Sequence, residues 1–160
     1  MDKKRLFFDM DNVLVDFKSG LEKVHEDIQK QYRGKKPDGS DCMDEIPGIF
    51  SLMEPLSGAR EAVSQLAKVY DVYILSTAPW ENPLALTEKV LWIKNYFGNL
   101  FKKKVILTHH KDLVRGDKDD ILIDDSPRNG ACDFQGEWIQ FGSKEYPDWN
   151  AVLAYLLPQK

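Results

Sequence analysis

The chain has 160 residues, 26 acidic against 22 basic, a formal charge of −4 and a 42% hydrophobic content, enough for one sizeable core in an ordinary globular domain. Its basic clusters, Lys3–Lys4, Lys35–Lys36 and 102–104, are short and not interleaved with aromatics, which argues against a surface for polymeric nucleic acid. No apolar run approaches the ~20 residues of a membrane helix and no cleavable signal precedes the first strand; with two cysteines, Cys42 and Cys132, outside any CxxC pattern, free thiols and a cytoplasmic protein are expected.

Leu6 to Asp9 reads as a short buried strand ending in charge. Phe17, Leu21, Val24, Ile28 and Tyr32 recur at steps of four and three, which predicts one helix from about Asp16 to Tyr32, stopped by Gly34. Asp16 suits its N-cap better than a ligand role. Residues 33 to 44 are polar and broken by Gly and Pro, hence a loop, and an interrupted apolar patch follows at 46 to 56. Ser57 is placed as the cap of a helix that buries Ala59, Ala62, Val63 and Leu66. Strands are expected at Val72 to Leu75, Val105 to Leu107, Ile121 to Ile123 and Trp138 to Phe141, with helices from Leu84 to Phe97, stopped by Gly98, and after Asp148 or Asn150.

Strands alternating with helices predict an α/β fold, a three-layer Rossmann-like parallel sheet with helices on both faces. More than one crossover helix separates the first two strands, so a small helical cap is expected over 17–56, inserted after the first strand, with the core formed by 1–16 and 57–160.

In such sheets ligands sit outside the carboxyl ends of the strands. Asp9 and Asp11, then Ser76 and Thr77, then Asp124 and Asp125 all fall there, and Lys111 follows the third strand. Two unit charges ~4 Å apart repel by roughly 4 kcal/mol at an effective dielectric near 20, so converging carboxylates need compensation. A nucleophile, a second acid two residues on, a hydroxyl, an ammonium and an acidic pair together suit phosphoryl transfer, and Mg²⁺, which takes hard oxygen ligands, would offset the carboxylates. Taken singly, each has a bland reading: a DxD in a turn, a hydroxyl capping a helix, a surface lysine. Adjacent acids directly after Ile121–Ile123 have no structural purpose of that kind.

DMDNVLVD, ILST, Lys111 and LIDD, in that order, resemble the four motifs of the haloacid dehalogenase-like superfamily, with Asn12 and Val13 where Gly and Thr usually stand. FSLMEPLSGAREAV, YILSTAP, EKVLWIKNYFG and VILTHHKDLVRGD are further similar to the 5'(3')-deoxyribonucleotidases, nearly end to end and least over 33 to 46. The resemblance implies hydrolysis of deoxyribonucleoside monophosphates through an aspartyl-phosphate. Asp9 is the implied nucleophile and Asp11 the acid/base, while Thr77 holds phosphate oxygens and Lys111 offsets charge. Mg²⁺ is implied on Asp9, the Asp11 backbone carbonyl and Asp125, with Asp124 either a further direct ligand or just behind the ligands. Phe50 matches the position of a base-stacking aromatic of the cap, with cap core as its alternative; Ala78 and Trp80, in the turn with Thr77, are counted with the substrate contacts.

Trp92 is expected in the core, and His25, His109 and His110 in solvent or capping roles. The implied partner is a small nucleotide, with neither nucleic-acid polymer nor membrane, and a homodimer is carried as the assembly. The nearest alternative is a phosphatase of the same fold for another small phosphomonoester such as a sugar phosphate. A receiver-like phospho-acceptor domain also combines acids, a hydroxyl and a lysine, but there the acidic pair follows the first strand, whereas here the DxD comes first.

Overall fold

A computed structural model describes residues 2–114 and 116–158. Five parallel strands form the central sheet: β1 (Arg5–Phe8), β4 (Asp71–Ser76), β5 (Val105–Leu107), β6 (Ile121–Asp124) and β7 (Glu137–Gln140), in the order β5-β4-β1-β6-β7. β1 is central because its RLFF run is buried on both sides of the pleat. Leu6 and Phe8 join one core cluster and Phe7 the other. The register pairs Phe8 with Ile74 on one side and Ile123 on the other, which brings the ends of β1, β4 and β6 level.

The chain continues from β1 towards β4 and from β6 towards β7, in opposite directions. The β1/β6 boundary is therefore the switch point, where an open parallel sheet leaves a crevice at its carboxyl edge. Helices α3 (Ala59–Val69), α4 (Leu84–Phe97) and α5 (Trp149–Leu156) contribute to the larger core. The other face differs from the expected helical layer. Its smaller cluster, Phe7, Leu75, Leu122, Ala131 and Phe134, contains no α-helical residue, and among the described residues the connections on either side of β6 carry only the 3-10 turns Lys111–Leu113 and Ala131–Asp133. Those connections are interrupted by Gly116, Pro127, Gly130 and Gly136 and carry several Asp, so they turn instead of propagating a helix.

The expected long helix from Asp16 to Tyr32 is two: α1 (Phe17–Leu21) and α2 (Glu26–Tyr32), separated at Glu22 to His25. Asp16 caps the first by accepting from the Ser19 amide at 3.3 Å, and His25 caps the second through Nδ1, which accepts from Asp27 N. The break leaves Ile28 of the expected stripe 42% exposed. Ser57 is not the cap of α3. Gly58 occupies that position at φ 80°, a left-handed conformation that glycine adopts without strain. α4 ends at Gly98, and Asp148 caps α5 by accepting from Ala151 N.

A two-stranded antiparallel pair, β2 (Val15–Asp16) with β3 (Glu54–Pro55), brackets the excursion that contains α1, α2 and the 3-10 turns Met43–Glu45 and Ile49–Leu52. The turns are fastened to α4 and the loop before it. Asn82 Nδ2 donates to the carbonyls of Asp44 and Ile46, Glu88 accepts from Phe50 N, and Trp92 Nε1 donates to Met53 O. Trp92 is 5% exposed, a core residue as its helix face predicts. Both cysteines are free, and no helix among the described residues is long and apolar enough to cross a membrane.

Candidate active site

A cavity of about 340 Å³ opens at the carboxyl edge of the sheet, over the β1/β6 boundary. β1 delivers Asp9, whose amide donates to Ile123 O at 2.9 Å and so ties the strand end to β6. The chain then reverses tightly: Met10 O accepts from the amides of Val13, Leu14 and Val15, and Asn12 stands at φ 60°. Asn is among the residues that tolerate this conformation best after glycine, so it serves where the superfamily's first motif has Gly. The turn is fixed from outside by Trp149 Nε1, which donates to Val13 O. It presents Asp11 to the cavity.

β6 delivers Asp124 and Asp125. One carboxylate oxygen from each of Asp9, Asp124 and Asp125 lies within 4.8 Å of the other two. The Lys111 ammonium, 3% exposed, donates to Asp9 Oδ1 at 3.1 Å and to Asp124 Oδ2 at 2.5 Å. Burial pushes the Asp9 carboxyl up to about 7, against the pull of Lys111 and with the repulsion of Asp124 and Asp11. Burial and the neighbouring Asp9 charge likewise raise Asp125 to about 6, and burial raises Asp124 in spite of Lys111. Burial works against the Lys111 ammonium, but Asp9 and Asp124 outweigh it and hold its pKa above the ordinary lysine value.

The donor set fits a small divalent cation. Its members are carboxylate oxygens, and opposite ligands of an octahedral Mg²⁺ stand about 4.2 Å apart, so three oxygens at the observed spacing can close on one ion with small movements. Both oxygens of Asp124 are engaged, Oδ2 with Lys111 and Oδ1 with the Ser126 amide at 3.1 Å.

Thr77, at the end of β4, lines the cavity, and its hydroxyl donates to Thr108 O at 2.7 Å. Trp80 is 82% exposed at the rim, its ring edge-on to His109 at 6.1 Å. Two of the expected substrate contacts are not brought there. Phe50 is 2% exposed and packs in the interior against Phe17, and Ala78 is 4% exposed; neither lines the cavity. Phe50 sits inward because its ring covers a buried charge, Lys89 Nζ, 4.6 Å from the ring centroid.

Lys89 itself escapes the sequence reading. It is fully buried and donates to Asp11 Oδ2 and Ser76 Oγ, each at 3.0 Å. The available signal is helical spacing: Ala85, Lys89, Trp92 and Ile93 fall on one face of α4, and all four are buried. Lys36, Asp44 and Glu45 from the excursion and Arg128 after β6 also line the cavity. Nothing in their local sequence separates them from surface residues.

The model of the family described as 5' nucleotidase, deoxy (pyrimidine), cytosolic type C matches residues 3–150. A Vibrio phage KVP40 protein named as a 5'(3')-deoxyribonucleotidase is 47% identical, over 97% of this chain and 85% of its own length. The human cytosolic 5'(3')-deoxyribonucleotidase is 30% identical over 93% of this chain and 78% of its own. Among solved structures, the HAD-hydrolase YfnB from Bacillus subtilis, described as bound to magnesium, superposes with a TM-score of 0.63 at 14% identity, covering 99% of this chain and all of that one. A shared sheet order does not define an activity, but a family model spanning almost the whole chain and relatives matched over most of their length do define descent: the chain belongs to the 5'(3')-deoxyribonucleotidase family, on the haloacid dehalogenase-like fold.

Proposed function

We propose that this protein hydrolyses the phosphomonoester of deoxyribonucleoside monophosphates in two displacements, with Mg²⁺ as its cofactor. The convergence of Asp9, Asp124 and Asp125 at the switch point, with Lys111 bonded to the first two, supports this most directly. In this reading Asp9 is the nucleophile. Its carboxylate attacks phosphorus while Asp11 gives a proton to the departing nucleoside oxygen, and Asp11 then takes a proton from the water that cleaves the aspartyl-phosphate. Dividing the hydrolysis in this way replaces one difficult step with two easier ones.

Lys111 is assigned to neutralising Asp9 and the phosphoryl oxygens together. Thr77 needs only to rotate its hydroxyl proton away from Thr108 O to donate to a phosphate, with no movement of heavy atoms. Asp9, the Asp11 carbonyl and Asp125 are the proposed Mg²⁺ ligands. Asp124, with both oxygens already engaged, is assigned to orienting Lys111. When bound, the ion neutralises carboxylate and phosphate charge, which lets an anionic substrate enter an acidic cavity.

Residues 17–56 form the proposed cap, since Lys36, Asp44 and Glu45 reach the cavity from that segment. With Phe50 buried, Trp80 is the aromatic placed to meet a base. Phosphate release from dUMP, dTMP, ribonucleotides, 3'-nucleotides and sugar phosphates, with Mg²⁺ and with chelator, tests the proposal. Preferential, Mg²⁺-dependent release from deoxyribonucleotides that disappears in Asp9→Asn is the expected result. Release that survives chelation rejects the metal role, and a preference for sugar phosphates rejects the substrate class.

A further inference from the structure

Lys89 is a charge buried without an exposed atom, in the middle of α4. An ammonium taken out of water is costly unless each of its three N–H groups finds a partner. Here each direction has one: Asp11 Oδ2 at 3.0 Å, Ser76 Oγ at 3.0 Å and the face of Phe50 at 4.6 Å. Three anchors on three different elements, the turn after β1, the end of β4 and the turn Ile49–Leu52, leave the ammonium no second position. The face of Phe50 is thereby committed to Lys89.

What this arrangement fixes is one oxygen of Asp11. Oδ2 is held by Lys89, while Oδ1 is buried and has no hydrogen-bond partner among the described residues. The Asp11 side chain sits in a tight turn whose backbone bonds set its origin but not its rotation. Without Lys89, nothing among the described contacts orients the carboxylate.

We infer that Lys89 is a positioning residue for Asp11: clamped by Ser76 and Phe50, it holds Oδ2 and so fixes the rotation of the carboxyl group that transfers the proton to the leaving oxygen. This rests on the proposed acid role of Asp11 and extends it to a residue outside the motifs. Correct placement of a general acid is worth as much as the acid itself, since misplacement by an ångström forfeits much of its effect.

The leaving group gives a readout that a merely structural lysine would not move. A nucleoside alkoxide needs a proton as it departs, whereas p-nitrophenolate leaves unaided, and kcat/KM reports the step in which the leaving group departs. Lys89→Met, which keeps the volume and removes the anchor, is expected to lower kcat/KM for dUMP by ~100-fold and for p-nitrophenyl phosphate by less than about fivefold. Ser76→Ala keeps the lysine but removes one clamp. It should shift the ratio of the two rates in the same direction by about three- to tenfold, and it keeps the inference testable if Lys89→Met unfolds. Combining Lys89→Met with Asp11→Asn should cost no more than Asp11→Asn alone.

Equal losses on both substrates, full dUMP activity in Lys89→Met, or additive losses in the double variant overturn the inference. Asp11→Asn with no leaving-group dependence instead overturns the acid role beneath it, and the two failures are told apart by that single variant.

Discussion

Replacing Lys111 by Met removes the ammonium that stands 3.1 Å from Asp9 Oδ1 and 2.5 Å from Asp124 Oδ2, in a place where none of the three side chains exceeds 10% exposure. At an effective dielectric near 20 those two contacts correspond to about 5 and about 7 kcal/mol of attraction, most of which is offset by the desolvation of the three charges. Replacing the lysine recovers its own desolvation but leaves the two buried carboxylates uncompensated, so the expected loss is about 3–5 kcal/mol at about pH 8 in chelator. The loss should depend on pH with a definite sign. Asp9 is raised to about 7 in the folded protein from 3.8, so the folded state binds more protons between those values and stability falls as pH rises through the window. Lys111 holds Asp9 down, and its removal pushes the carboxyl further up. At about pH 5.5 the Asp9 carboxyl of the variant is then protonated, less charge is stranded, and the loss should shrink to about 1–2 kcal/mol. Urea unfolding followed by tryptophan fluorescence, in chelator at both pH values, measures it. A loss below about 1 kcal/mol at both, or a larger loss at the lower pH, would refute the electrostatic account of the site.

The same linkage predicts that the unaltered protein in chelator melts at a higher temperature as pH is lowered from about 8 to about 6, because both Asp9 and Asp125 take up protons on folding. Saturating Mg²⁺ should flatten that slope, and calorimetry showing the opposite slope would contradict it. Asp9→Asn should abolish phosphate release yet raise the melting temperature in chelator by several degrees, the signature of a strained functional charge; a lower melting temperature would mark Asp9 as structural. Trp80→Ala should raise KM for dUMP and leave the melting temperature unchanged, since Trp80 is 82% exposed. Phe50→Ala should instead cost about 3–5 kcal/mol of stability, as expected for a buried ring; a Phe50→Ala protein of normal stability with only a raised KM would return Phe50 to the substrate.

Most of the sheet was legible because its strands are short apolar runs bounded by charge or turn residues, and their order fixes where Asp9, Thr77, Lys111, Asp124 and Asp125 emerge. The expected long first helix is broken in two for a definite reason. Phe17, Leu21, Val24, Ile28 and Tyr32 keep a helical period across Glu22 to His25, but Asp16 and His25 both offer side-chain caps, and a second cap inside an apolar stripe starts a new helix in a new direction. The thin second face was illegible because a sheet face can be closed by a few rings and 3-10 turns, which leave no periodic pattern.

Lys89 and Phe50 were obscured by each other. A lysine in EKVLWIKN reads as solvated, and Phe50, matched by resemblance to a base-stacking position, reads as available to a ligand, as long as each is considered alone. Placed on the helix, Lys89 shares the buried face with Ala85, Trp92 and Ile93, and a charge there requires an acid and an aromatic or polar cage. The motif that ends β1 supplies more carboxylates than Lys111 alone can neutralise. Surplus negative charge at a strand end and a lysine on an apolar helix face are two halves of one electrostatic constraint, and pairing them assigns Asp11 to Lys89 and turns Phe50 inward. The substrate side of the cavity is left to Trp80 and to the charged residues that reach it from 36 to 45. Base selection would then depend on the rim, where the resemblance to the family is weakest, and proton transfer, on the proposed role of Lys89, would depend on α4, where it is strong.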